Sequence, residues 1–97
     1  MLIRFDPNVP AEVEAAIEPL MLKWQGILPS WVHDCKVFWN PENDCKLSIS
    51  VRECHRDVLM TVYPDWLMDP ASKESAVVHE FCHCYNSPLE HVALEYV

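Results

Sequence analysis

Residues 77–86 read VVHEFCHCYN, an apolar stretch with histidines at 79 and 83 and a glutamate at 80. At about 100° per residue, a helix gathers His79, Glu80 and His83 within roughly one third of its circumference, leaving Val77, Val78, Phe81 and Tyr85 on the opposite side. One face can then pack on a sheet. The other presents two imidazoles and a carboxylate with little ordinary solubilising charge. The competing reading is a core helix whose histidines are satisfied by hydrogen bonds.

Working outward, the spacing predicts that this helix runs from about Pro70 to Tyr85, with Asp69 as N-cap and Pro70 in its first position. Asn86 and Ser87 are expected to end it. SPLE at 87–90 has the form of a capping box, opening a short C-terminal helix with Leu89, Val92, Ala93 and Tyr96 as its apolar stripe. Upstream lie three strand signals. CKVFW (35–39) is followed by the turn-prone NPEND (40–44). In KLSISVR, Leu47, Ile49 and Val51 alternate with polar residues, the mark of a half-buried strand. DVLMTVY (57–63) follows through a short link that implies an antiparallel neighbour. Between Pro10 and Trp24, Val13, Ile17, Leu20, Met21 and Trp24 recur at helical spacing, with Pro19 expected to kink or shorten the helix. The fold expected is α+β: an N-terminal helix, a three-stranded antiparallel meander, the histidine helix and a short last helix.

At 97 residues, with 51% hydrophobic residues and a single glycine, the chain fits one domain spanning 1–97. A formal net charge of -8 argues against direct binding to nucleic acid or an anionic membrane, both of which attract basic patches. It admits a basic groove on a larger protein as partner. The start MLIRFDPNVP lacks a signal-peptide pattern, and no window approaches a spanning helix, so a soluble cytoplasmic protein is expected. Cys35, Cys45, Cys54, Cys82 and Cys84 are an odd number without framework spacing and read as reduced thiols.

His-x-x-x-His with Glu80 inserted is suited to Zn²⁺. Imidazoles one turn apart can each lie about 2.0–2.1 Å from one ion, which activates water and polarises a carbonyl while Glu80 serves as general base. Catalytic zinc usually has a third protein ligand. If the last helix folds back at Asn86 and Ser87, His91 approaches His83 and Glu95 approaches His79, so either completes the set; Glu90 is occupied by its capping box.

The segments LPSWVHDCKVFW, LSISV, VLMTVYPDWL and VVHEFCHCYNSPL resemble a family of small, minimal zincin-like metallopeptidases encoded by bacteriophages and prophages. The resemblance covers about two thirds of the chain. It implies His79 and His83 as zinc ligands and Glu80 as general base, in a bacterial host cytoplasm. The family's acidic ligand on a helix after the motif favours Glu95. In zincins generally, the edge strand of the sheet pairs with an extended peptide substrate.

Two further readings share the same helix. One is a noncatalytic acidic inhibitor of a host protein on a zincin scaffold; the other is a closed structural zinc site with Cys82 as ligand. Cys82 and Cys84 point about 200° apart on a helix, so one ion does not use both. His33 and His55 read as surface residues. Trp24, Trp31, Trp39 and Trp66 read as core and helix-to-sheet contacts. Lys36, Lys46, Arg52 and Arg56 are expected on the exposed sheet face, as solubilising charge.

Overall fold

The computed structural model describes the backbone of residues 2–42 and 45–96, and the side chains of residues 2–42, 45–52 and 54–84. Four strands are interleaved with helices: β1 (Leu2–Phe5), α1 (Ala11–Trp24), β2 (Asp34–Trp39), β3 (Leu47–Arg52), β4 (Asp57–Val62), α2 (Pro64–Met68) and α3 (Lys73–Tyr96). The fold is a small α+β domain, as the pattern of elements implied. Its sheet is not a three-stranded antiparallel meander.

The strand order is β1-β2-β4-β3. β1 and β2 are parallel, β2 and β4 are parallel, and only β3 runs antiparallel, against β4. The short link between β3 and β4 does make them antiparallel neighbours. The β2–β3 link, residues 40–46, is long enough to carry β3 past the position that β4 then fills. A turn-prone composition in NPEND marks a loop but does not fix which strand lies beside which. β1 was missed because LIRF is four residues long, too short for its alternation to stand out.

The strand burial follows from these positions. Central β4 buries Val58, Met60 and Val62 completely, and β2 does the same with Cys35 and Val37. Edge strand β3 buries Leu47 and leaves Ile49 and Val51 partly covered. The same core takes Val13, Ile17 and Met21 from α1 and Val77, Phe81 and Cys84 from α3, so both helices cover one face of the sheet. Arg4, Lys36 and Arg52, at the alternate strand positions, are exposed on the other. Trp66 is fully buried and donates Nε1–H to the Lys73 carbonyl at 3.1 Å, while Trp24, Trp31 and Trp39 pack against the core from its margins. Arg56 closes the β3–β4 connection in the left-handed region, φ 55°, and its carbonyl accepts from the His33 amide at 2.8 Å.

Both ends of the histidine helix differ from expectation. It begins at Lys73, and Asp69 lies before a turn at Pro70 and Ala71. At the other end, α3 passes through Asn86, Ser87 and Pro88 to Tyr96 as one helix, so SPLE does not open a separate element. Inside a helix, Ser-Pro-x-Glu can simply be carried along, since a capping box needs a preceding break. Helix α1 runs through Pro19 to Trp24, so the proline does not shorten it. No helix among the described residues is long and apolar enough to cross a membrane.

Candidate metal centre

The burial stripe of α3 orients the site. Val77, Phe81 and Cys84, at spacings of four and three, are drawn completely into the core, which turns His79 and His83 outward and holds Glu80 half-buried beside them. The two imidazoles are perpendicular, with ring centroids 4.7 Å apart. Their Nε2 atoms approach to 3.1 Å. One candidate donor atom from each of His79, Glu80 and His83 lies within 4.8 Å of the others.

This geometry fits a metal ion. Two nitrogens each about 2.0–2.1 Å from one zinc, at the tetrahedral angle, are separated by about 3.3 Å, a few tenths of an ångström more than the spacing seen here. Without an ion, one neutral imidazole donates an N–H to the other at the same distance. Burial raises the Glu80 carboxyl above its ordinary value, and the neighbouring His83 and His79 pull it down. Among the described residues no hydrogen bond fixes that carboxylate.

His79 and Glu80 also line one end of an open groove of about 470 Å³, whose other walls are Cys45, Lys46 and Leu47 at the start of β3, and Ser72, Ser75 and Ala76 at the start of α3. The groove lies beside β3, one of the two edge strands of the sheet. The Tyr63 amide donates to the Lys46 carbonyl at 3.1 Å, and the β3–β4 register carries this pattern forward. Lys46, Ser48, Ser50 and Arg52 therefore turn their backbone groups toward β4. The N–H and C=O groups of Leu47, Ile49 and Val51 face outward, with the Leu47 carbonyl receiving the Cys45 thiol at 3.3 Å.

The continuous course of α3 removes the turn that was expected to bring Glu95 and His91 back to the histidine pair. Their side chains, like that of Glu90, lie outside the described residues. Cys82 is exposed and Cys84 buried, in keeping with the 200° divergence, and Cys82 does not join the His79, Glu80, His83 group. His33 and His55 are exposed. Sequence reasoning missed Lys46, Ser72 and Ser75 as neighbours of the site. Lys46 reads locally as one more polar position of an alternating strand, and its place beside α3 depends on β3 being the outer strand.

Comparison of the chain with family models, with curated proteins and with solved structures finds no match.

Proposed function

We propose that this protein is a zinc-dependent peptide hydrolase, a reading carried by the 3.1 Å approach of the His79 and His83 Nε2 atoms with Glu80 beside them. When bound, Zn²⁺ would supply Lewis acidity, polarising a scissile carbonyl and making water acidic. His79 and His83 hold the ion. Glu80, half-buried at the end of the groove, accepts a proton from water and returns it to the leaving amine. The outward backbone groups of Leu47, Ile49 and Val51 offer an extended peptide a strand to pair with. The resemblance to phage and prophage metallopeptidases supports the same assignment.

Glu95 is the third protein ligand of this reading, on one condition. Twelve residues of straight helix separate it from His83 by about 18 Å. It reaches the ion only if metal binding breaks α3 near Asn86 and Ser87, and such a break would appear as lost helicity on zinc addition, absent in Glu95→Ala.

The decisive experiment pairs elemental analysis with hydrolysis of a mixed peptide library by the zinc-loaded protein. One zinc per chain, lost in His83→Ala, with cleavage abolished in Glu80→Gln, is expected. Stoichiometric zinc with an intact library would overturn the hydrolase reading.

A further inference from the structure

A polar cluster is built on Lys46 and Ser72, which line the groove together with His79 and Glu80. Lys46 Nζ is 2.7 Å from Asp69 Oδ2 and 2.7 Å from Ser72 Oγ, and Ser72 Oγ donates to the same Asp69 oxygen at 2.9 Å. Lys46 thus faces two ways. Its carbonyl is bonded to Tyr63, on the sheet side. Its ammonium reaches across the groove to the segment where α3 begins, and the Ser72 carbonyl accepts from the Ala76 amide at 2.9 Å in the first turn of that helix.

Ser72 is the residue before α3 and precedes His79 by seven residues, about two helical turns, and both line the groove. The cluster therefore joins the first residue before the edge strand to the groove wall that carries His79 and Glu80. We infer that Lys46 is a positioning residue, which through Asp69 and Ser72 sets the separation between the free edge of β3 and the Glu80–His79 end of the groove. This rests on the hydrolase reading, because the quantity positioned is a peptide paired with β3.

An edge strand is held on one side only, and the outer end of its ladder is where it opens most readily. Lys46 is already neutralised by Asp69, which makes it a poor receptor for a substrate carboxylate and a good tether. Both side chains are 42% exposed, and an ion pair that exposed contributes little to global stability. Its effect on placement can be far larger, since a displacement of about 1 Å at a reacting centre can cost on the order of a hundredfold in rate.

The test compares Lys46→Met and Lys46→Arg with the wild type, each zinc-loaded. Lys46→Met should keep its urea midpoint and its zinc stoichiometry, and lose nuclear Overhauser contacts between the start of β3 and the first two turns of α3. Its kcat on a cleaved peptide should fall roughly 10- to 100-fold with KM changed much less, and Lys46→Arg should restore both the contacts and kcat. Unchanged contacts in Lys46→Met would overturn the tether, and changed contacts with unchanged kcat would overturn its positioning role. A wild type that binds zinc and cleaves nothing defeats the hydrolase reading and the positioning role with it, while the contacts still decide whether Lys46 holds the groove.

Discussion

His79 and His83 stand on consecutive turns of α3 with perpendicular rings and their Nε2 atoms 3.1 Å apart. Because the folded helix already holds this spacing and an unfolded chain does not, an ion that binds the pair stabilises the fold by mass action. Zinc at about a hundred times its dissociation constant should add about 2.7 kcal/mol. Thermal unfolding with and without zinc measures this directly. The shift should vanish in His79→Ala and in His83→Ala, and its persistence in either variant would remove the pair as the ligands.

Glu80 separates binding from chemistry. It lies beside the two imidazoles, and its proposed task is proton transfer. Glu80→Gln should therefore keep zinc while peptide hydrolysis falls by about 10²- to 10⁴-fold, the usual contribution of a positioned acid–base group. Loss of zinc together with activity would instead make Glu80 a ligand.

The histidine face was legible because helical spacing alone puts residues 79, 80 and 83 together. Its surroundings were not. The groove wall formed by Cys45, Lys46 and Leu47 depends on β3 lying outside β4, a long-range choice that period-two alternation in KLSISVR does not encode. The same limit explains the meander error: each strand segment was found from its own residues, while the order β1-β2-β4-β3 follows from burying Val58, Met60 and Val62 between two neighbours. The break expected at Asn86 and Ser87 failed because capping residues announce a helix start only where the preceding helix has stopped.

The thiols should divide by burial. Cys35 and Cys84 are completely buried, and burial pushes their thiols up to about 12 and about 11. Cys54 and Cys82 are exposed. A disulfide reagent at pH 8 should label the latter pair within minutes and the former only on unfolding, since the thiolate is the nucleophile. The same burial gives stability an alkaline limb. Unfolded thiols ionise near their ordinary value while the folded ones stay neutral, so this contribution is complete below about pH 9 and falls away as pH rises toward 11–12. Cys35→Ala should flatten that limb.

Pro19 lies exposed in the interior of α1, where it removes the amide that would bond to the Ala15 carbonyl. An interior proline costs about 3 kcal/mol relative to alanine, offset by the about 0.4–1 kcal/mol that its stiffness takes from the unfolded chain. Pro19→Ala should raise stability by about 2 kcal/mol, seen as a higher urea midpoint at an unchanged slope. A neutral result would mean that the helix has relaxed around the proline.

Arg52 and Asp57 pair across the last rung of the β3–β4 ladder, with Arg52 Nε donating to Asp57 Oδ1 at 2.8 Å and a second guanidinium N–H reaching Oδ2. This hydrogen bonding holds the Asp57 carboxyl below its ordinary value of 3.8. Because the folded state keeps Asp57 ionised more readily than the unfolded chain, the pair's contribution is present above the ordinary carboxylate range and is lost as pH falls through the depressed value. The neighbouring Arg56 has a left-handed backbone, φ 55°, and its carbonyl accepts from the His33 amide. Asp57→Asn should weaken the fold at neutral pH by up to about 1 kcal/mol, in line with a partly exposed ion pair, and leave stability near pH 3 closer to wild type. Equal destabilisation at both pH values would show that the side chain acts through the turn geometry and not through its charge.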